Sequence, residues 1–297
     1  MQTFQKRQQV WQQLQNMAPL RLAGSWDNVG ILVNPNPIHQ GQEKVFLTID
    51  LTEAVLEEAL AWQASIIIAY HPPIFSGLKQ LDLNHSMSTL LVQAIQAGIG
   101  IYSPHSALDA VEGGICDWLV QIFSAACVGK TLAEIQNDPW QGLKKEDGQE
   151  TVMKVPLQPD SDTPHEGAGR LCTLKQKTPL SQILQSLTDH LALDYVRLAL
   201  PHQHTAEQTM IETVALCPGA GGSLFHQKIN ADLLFTGEMR HHDVLAHSRK
   251  GRSVILTEHT RCERGYLPLF AKQIEQNLSV EVKCSTIDDD PLHIWQP

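Results

Sequence analysis

The stretch VFLTIDLTEAVLEEALAWQASIIIAYHPP, residues 45–73, decides the fold of this chain. It begins with an apolar run at 45–49 and contains another at 65–70, which is typical of strands buried on both faces. The apolar side chains between the runs have helical spacing, and Asp50, with Glu53 three positions later, predicts the start of the helix. Strand, helix and strand in so short a stretch predict a βαβ unit with a parallel pair of strands.

Further apolar runs extend this pattern along the chain. An amphipathic helix opens the sequence at 1–17, and a helix at 88–97 leads into a third strand at 98–103. The second half alternates in the same way, with predicted strands at 214–218, 231–237, 253–259 and 279–285. We therefore predict an α/β fold of duplicated βαβ-type lobes with mainly parallel sheets.

The predicted lobes are separated by a segment with a different composition. Residues 137–168 are rich in Asp, Gly, Gln and Pro and have no hydrophobic period, which favours a loop or linker. The predicted organisation is therefore an N-terminal lobe at 1–136, this linker, and a C-terminal lobe at 169–297.

Composition narrows the class of protein. Hydrophobic residues make up 42% and charged residues 18% of the 297 positions, as in ordinary globular proteins. The net charge of -10, without a Lys or Arg cluster, argues against direct binding of nucleic acid. No apolar run is long enough for a membrane helix, and the N-terminus does not resemble a secretory signal. Six scattered cysteines without a CxxC pair suit reduced thiols, so we expect a cytoplasmic protein that does not bind membranes.

Two segments suggest an internal duplication. IYSPHSALD at 101–109 and ILTEHTRCE at 255–263 each follow a predicted strand and contain His-x-x-x-acid, His105 with Asp109 and His259 with Glu263. Fourteen histidines make two such spacings possible by coincidence, but the matching strand context favours duplication.

Ligand-type side chains occur where predicted parallel strands end. His71 follows the strand at 65–70 and precedes two prolines, Asp109 follows the strand at 98–103, and His259 and Glu263 follow the strand at 253–259. Ligands of α/β sheets gather beyond the carboxyl ends of the strands. These four residues therefore predict a metal cleft assembled from both ends of the sequence.

The chemistry of this set favours two metal ions. If a helical turn starts at His259, its imidazole and the Glu263 carboxylate share one face, and a carboxylate can bridge two cations. Mixed histidine and carboxylate ligands suit Zn, Fe, Mn or Co better than Ca or Mg alone. Alternative interpretations stay open: His71 as a turn residue, Asp109 as a helix cap, and Glu263 in an ion pair with a neighbouring arginine.

Other polar motifs carry weaker signals. His241 and His242 follow a strand end and are candidates for a supporting or substrate contact. The Gly-rich turn at 218–223 could cradle an anion on its backbone N–H groups, although it lacks the Lys-Ser/Thr of a P-loop.

The same segments resemble the Ngg-interacting-factor-three-like family, whose bacterial members are often labelled GTP cyclohydrolase type 2 homologues. Six ordered blocks carry the resemblance, followed by a short block at 290–292, so that it spans nearly the whole chain. The six lie at 25–30, 70–75, 102–109, 169–172, 236–242 and 258–265. The resemblance implies a duplicated α/β fold around a cleft that binds two divalent metals, assembled as a toroidal homohexamer.

Carried over to this sequence, the resemblance implies that His71 and Asp109 bind one metal, that His259 binds the other, and that Glu263 bridges them. Many bacterial members have His-His where this chain has Tyr70-His71, a tyrosine form similar to that of the eukaryotic subgroup. Tyrosine is a poor replacement for a histidine ligand, which puts full occupancy of the second metal in question. His105 is a candidate to compensate.

We therefore expect a metal-dependent hydrolase-like protein that holds two divalent ions (Zn, Fe, Mn or Mg). Asp109 and Glu263 are the predicted catalytic residues, and the family label suggests a nucleotide such as GTP as substrate. Two alternatives are a metal carrier or chaperone without turnover, and a regulatory scaffold that binds a protein partner.

Overall fold

A computed structural model describes residues 2–38, 42–128 and 152–295. The described α-helices are α1 (Gln2–Met17), α2 (Glu53–Ala61), α3 (Ser86–Gln96), α4 (His105–Ala110), α5 (Ile115–Val128), α6 (Leu180–Leu191), α7 (His241–Arg249) and α8 (Leu267–Leu278). Short 3-10 turns lie at Leu20–Leu22, Gly221–His226, Thr260–Cys262 and Arg264–Tyr266. None of the described helices combines the length and the apolar character that a membrane crossing requires.

The strands alternate with these helices. They are β1 (Gly30–Val33), β2 (Lys44–Thr48), β3 (Ile66–Ala69), β4 (Gly100–Ser103), β5 (Val152–Val155), β6 (Gln158–Pro159), β7 (Gly167–Ala168), β8 (Arg170–Pro179), β9 (Arg197–Ala199), β10 (Met210–Leu216), β11 (Leu233–Thr236), β12 (Ser253–Leu256) and β13 (Glu281–Cys284). The α/β fold predicted from the sequence is confirmed, with parallel strands in each large sheet.

Packing divides the chain into two compact units, whose boundaries differ from those that the sequence predicts. The first unit is Met1–Val111 with Arg264–Pro297, and the second is Glu112–Glu263. The C-terminal elements α8 and β13 belong to the first unit because β13 pairs in parallel with β2. Conversely, α5 falls in the predicted N-terminal lobe but belongs to the second unit, because it packs on β8 and α6.

The predicted linker at 137–168 lies partly outside the described residues. Its described part contains β5, which pairs with β8 and places Val152 opposite Leu174. This segment therefore contributes an edge strand to the second sheet, where the sequence predicts a loop. The sequence signal is weak because the strand is only four residues long and Lys154 interrupts its apolar residues.

The first unit is built on a five-stranded sheet with the order β1-β4-β3-β2-β13. Strands β4, β3, β2 and β13 run parallel, and β1 is antiparallel to β4. All residues of β3 and β4 are buried, as the continuous apolar runs predict. Helix α2 packs Val55, Leu56 and Ala59 into the core formed with this sheet.

The start of α2 corrects one detail of the sequence interpretation. Thr52, not Asp50, is the N-cap, and its side chain accepts a hydrogen bond from the backbone N–H of Val55 at 3.3 Å. Asp50 lies two residues before the cap, where its carboxylate contacts His71 instead. Leu60, one of the apolar residues with helical spacing in this segment, is exposed.

The second unit contains a six-stranded sheet with the order β5-β8-β10-β11-β12-β9. Strands β10, β11 and β12 form a parallel trio, and the other pairs in this sheet are antiparallel. The trio is fully buried at β11 and β12. Its carboxyl ends lead into the turns that carry Gly219, Glu238 and His259.

The topologies of the two sheets support the predicted duplication. In each unit a helix precedes a short strand, and three parallel strands follow it in the chain. That short strand then lies antiparallel to the third strand of the trio, β1 beside β4 and β9 beside β12. The His-x-x-x-acid segments follow β4 and β12, which are equivalent strands in this scheme.

A buried ion pair stabilises the second unit. Arg170 at the start of β8 donates from Nε to Asp117 Oδ1 of α5 at 2.6 Å, and both side chains are 1% exposed. Lys154 Nζ lies 2.5 Å from the other oxygen of the same carboxylate. Burial raises the pKa of Asp117, but the charges of Arg170 and Lys154 outweigh it, so that this pKa lies below its usual value.

We expect Asp117→Ala to lower the free energy of unfolding of the second unit by about 3–5 kcal/mol, because it leaves the buried Arg170 charge without its carboxylate. The control is Glu212→Ala, which removes an exposed pair with Lys177 and should cost less than about 1 kcal/mol. Urea-induced unfolding at neutral pH measures both, and equal midpoints for wild type and Asp117→Ala would contradict the assignment.

The pH dependence of this stabilisation has a defined sign. Because the pKa of Asp117 is lower in the folded than in the unfolded chain, its contribution is complete above the unfolded value of 3.8. It is lost as the pH falls through the folded value. The stability difference between wild type and Asp117→Ala should therefore be constant near neutral pH and shrink in acid.

Candidate functional site

His71 is held at the end of β3 by its neighbours in the first unit. Its backbone N–H donates to the carbonyl of Ile49 at 3.0 Å, and Pro72 and Pro73 prevent the strand from continuing. Its Nδ1 lies 2.9 Å from Asp50 Oδ1. The ring is therefore oriented by its main chain and by a carboxylate.

The carboxylate of Asp50 is itself held in place. Arg264 Nη2 lies 3.5 Å from Asp50 Oδ2, and Arg264 Nη1 lies 2.8 Å from Asp288. A carboxylate accepts hydrogen bonds, so this contact favours a proton on Nδ1 of His71 and turns Nε2 away from Asp50. A carboxylate bonded to one ring nitrogen is the usual support of a histidine that binds metal through the other.

Tyr70 contacts the second predicted ligand of the first unit. Its ring is buried, and its hydroxyl donates to Asp109 Oδ1 at 2.6 Å. Asp109 lies on α4, four residues after His105. Tyr70 therefore orients the Asp109 carboxylate through this hydrogen bond.

His105 forms a similar pair with a carboxylate. Its Nδ1 lies 2.7 Å from Asp27 Oδ1, and the hydroxyl of Ser106 donates to the other Asp27 oxygen. Burial raises the pKa of Asp27, but the hydrogen bonds from His105 and Ser106 lower it by more. The His105 ring makes edge contacts with Tyr70 and His71, each at a centroid distance of 5.4 Å. That His105 compensates for the histidine ligand that Tyr70 replaces stays a prediction.

The second unit brings His259 and Glu263 together as the sequence predicts. The turn between them is a 3-10 turn, Thr260–Cys262, and His259 Nε2 lies 3.9 Å from Glu263 Oε1. His259 Nδ1 lies 2.9 Å from Glu238 Oε1, so that a carboxylate also supports this ring. The Glu263 side chain is 2% exposed, whereas that of His259 is 36% exposed.

Gly219 leaves room for this pair. A Cβ built on Gly219 would lie 2.6 Å from Glu263 Oε1 and 3.1 Å from His259 Nε2, and its φ of +57° is a conformation that favours glycine. The turn at 218–223 thus has a structural role beside the two ligands. The anion cradle that the sequence suggested for this turn stays a prediction.

In the described residues, the candidate metal ligands are His71 in the first unit and His259 with Glu263 in the second. Asp109, the fourth predicted ligand, is not among them, and its carboxylate accepts a hydrogen bond from the hydroxyl of Tyr70. His241 and His242 lie at the start of α7, and both are exposed.

The donor set and its surroundings fit a metal ion. The rings of His71 and His259 both have Nδ1 paired with a carboxylate, and the Glu263 carboxylate has a space that only glycine leaves open. Imidazole and carboxylate ligands of this kind suit Zn, Fe or Mn.

Sequence reasoning missed the supporting carboxylates, Asp27, Asp50 and Glu238. Asp50 and Glu238 follow the ends of β2 and β11, so the rule that selected His71 could also have found them. Asp27 precedes β1, and its pairing with His105 across 78 positions leaves no local signal.

Three comparisons bear on this geometry. The profile of the family described as Duf34/NIF3 (NGG1p interacting factor 3) matches residues 5–291. NIF3-like protein 1 of Homo sapiens is 33% identical over 344 residues, which cover 95% of this chain and 90% of that protein. The protein NIF3 homolog of Schizosaccharomyces pombe is 37% identical over 281 residues, covering 92% of each chain.

Comparison with a solved structure confirms the fold. The structure of a Bacillus cereus protein related to NIF3 superposes with a TM-score of 0.72, covering 97% of this chain and 98% of the other. The sequences of the two are 17% identical, so this likeness concerns the fold alone.

Gly219→Ala and Gly251→Ala form a matched pair that tests the packing around Glu263. Both glycines have positive φ, +57° and +81°, but the described atoms leave open space around a Cβ at Gly251. Gly251→Ala should lower the free energy of unfolding by about 1–2 kcal/mol from backbone strain alone. Gly219→Ala should cost more, because the Glu263 carboxylate must also move. Equal losses in urea-induced unfolding would show that Gly219 does not confine Glu263.

Proposed function

The chain belongs to the Duf34/NIF3 family, and from that premise we propose that it is a metal-dependent hydrolase-like protein. His71 and Asp109 of the first unit, with His259 and Glu263 of the second, are the proposed ligands of two divalent ions. The observation that carries this proposal is the pairing of Nδ1 of both His71 and His259 with a carboxylate.

Each side chain has a defined part in this proposal. His71 and His259 bind through Nε2, since Asp50 and Glu238 hold the opposite edge of each ring. Glu263 is the proposed bridging carboxylate because it is buried within reach of His259. A bound divalent ion would lower the pKa of water and supply hydroxide near neutral pH.

The geometry around Tyr70 bears on the second metal. Tyr70 donates its proton to Asp109, so we propose that it orients this ligand and does not replace the histidine of other family members. Asp109 is then a proposed ligand and catalytic carboxylate, and Tyr70 is a residue that positions it.

The proposed reaction is the hydrolysis of a nucleotide, as in a GTP cyclohydrolase type 2-like enzyme. The assembly into a homohexamer and the binding of a regulatory protein partner, both implied by the family resemblance, stay predictions. Size-exclusion chromatography with light scattering tests the first of these directly.

A second candidate function is metal transfer without turnover. The side chains of His259 and Glu238 are 36% and 53% exposed. This exposure would let the site release its metal to solvent or pass it to another protein. Turnover separates the two functions. A hydrolase releases product from GTP at a rate that rises with metal loading, whereas a carrier loses its metal to a chelator quickly and leaves every nucleotide intact.

Glu263→Gln should reduce the metal content of protein purified without chelator from near two ions per chain to one or none. The substitution removes the charge that offsets two cations while it keeps the size of the side chain. The matched control, Glu275→Gln, changes an exposed glutamate of α8 and should keep the wild-type metal content. Elemental analysis measures both variants, and an unchanged content in Glu263→Gln would contradict the proposed bridge.

Asp50→Asn and Glu238→Gln should each weaken metal binding about 10–100-fold, because they remove the carboxylate that orients a ligating histidine. Competition with a chromophoric chelator measures the affinity. Asp162→Asn, at an exposed carboxylate of the second unit, is the control. Wild-type affinity in both variants would mean that neither histidine binds through Nε2.

A further inference from the structure

Two large aromatic side chains of the first unit are exposed beside the His105 ring. Trp26 is 64% exposed and Phe75 is 53% exposed, with ring centroids 6.2 Å apart and planes inclined by 44°. Trp26 also makes an edge contact with His105 at 5.9 Å. Exposed aromatic side chains that lie together are typical of surfaces that bind a ligand or partner.

The residues around Trp26 hold its indole in place. A Cβ built on Gly24 would lie 2.6 Å from Trp26 Nε1, so the indole lies directly over the main chain of this glycine. The backbone N–H of Gly24 donates to Ser106 Oγ at 3.1 Å. The neighbouring Asp27 side chain is fully buried in its pair with His105. The ring is thus positioned before a ligand arrives, which reduces the entropy lost on binding.

Phe75 is tied to the same segment. Asn28 Nδ2 donates to the carbonyl of Ile74 at 2.5 Å, which joins the loop that carries Phe75 to the loop that carries Trp26. Pro72 and Pro73 restrict the backbone between His71 and Phe75. These contacts hold the rings of Trp26 and Phe75 at a defined spacing in the folded chain.

A series of ring contacts connects this aromatic pair with the proposed ligand. Trp26 contacts His105, and His105 contacts His71 at 5.4 Å. A planar group stacked on Trp26 would therefore lie next to the His105 ring. Because the two planes are inclined, a ligand ring can lie on the face of one and meet the edge of the other.

We propose that Trp26 and Phe75 bind the planar heteroaromatic ring of the substrate, a nucleobase. This inference rests on the proposed function, since it places the base of a nucleotide beside the metal ligand His71. It adds a specificity determinant that recognises the ring through stacking, which is worth about 1–3 kcal/mol per base.

The test is calorimetric titration of the full chain with GTP, ATP and inorganic triphosphate, which has the phosphates but no ring. Wild type should bind at least one nucleotide about 5- to 150-fold more tightly than triphosphate. Trp26→Ala should lose that advantage and keep its affinity for triphosphate, and Phe75→Ala should lose part of it. Trp26→Phe should retain most of it. Leu83→Ala, at another exposed apolar residue of the first unit, is the control and should behave as wild type.

Three results would overturn the inference. They are equal binding of nucleotides and triphosphate by wild type, unchanged nucleotide affinity in both folded alanine variants, and a smaller assembly of Trp26→Ala in light scattering. The last result would show that a second copy of the chain covers the pair. Metal content of the same samples separates this inference from the proposed function: a metal-loaded wild type without ring preference refutes only the base site, whereas a metal-free wild type refutes the metal site.

Discussion

The hydrogen bond between Nδ1 of a strand-end histidine and a carboxylate is the interaction on which the proposed chemistry depends. It occurs at His71 with Asp50 and at His259 with Glu238, at 2.9 Å in both cases. An imidazole without such a partner can rotate and can carry its proton on either nitrogen. Each carboxylate limits this freedom, so that the Nε2 edge of the ring has a defined direction.

The duplicated topology repeats the scaffold that carries the two histidines, but they follow different strands of it. His71 follows β3, the second strand of its trio, and His259 follows β12, the third. A parallel trio with an antiparallel strand beside its third member occurs in each unit, and the carboxyl ends of its strands release the chain into turns. The repeated scaffold has diverged in detail. The first unit offers Asp109 under the hydroxyl of Tyr70, whereas the second buries Glu263 against Gly219.

The local part of this arrangement could be predicted from the sequence. The apolar runs of β2, β3 and β4 and the periodicity of α2 locate the βαβ unit, and the two prolines after His71 mark its strand end. The four-residue spacing also predicted the proximity of His259 and Glu263. These signals depend on neighbours in the chain, which a single sequence displays directly.

The rest depends on contacts between distant residues, which one sequence does not encode in a local pattern. The pairing of β13 with β2 joins residues more than two hundred positions apart and changes the division into units. A carboxylate before a helix resembles a cap, so the sequence favours Asp50, whereas in the structure Thr52 caps the helix and Asp50 contacts His71. The donation from Tyr70 to Asp109 likewise becomes visible only after β3 and α4 are placed.

The most direct test of this account is a crystal structure of protein purified without chelator, with anomalous diffraction recorded at the absorption edges of Zn, Fe and Mn. The account predicts anomalous density about 2.0–2.1 Å from Nε2 of both His71 and His259 if the metal is zinc, with Asp50 and Glu238 still bonded to Nδ1. Density at Nδ1 of either histidine, or metal bound elsewhere while both Nε2 atoms lack it, would contradict the account.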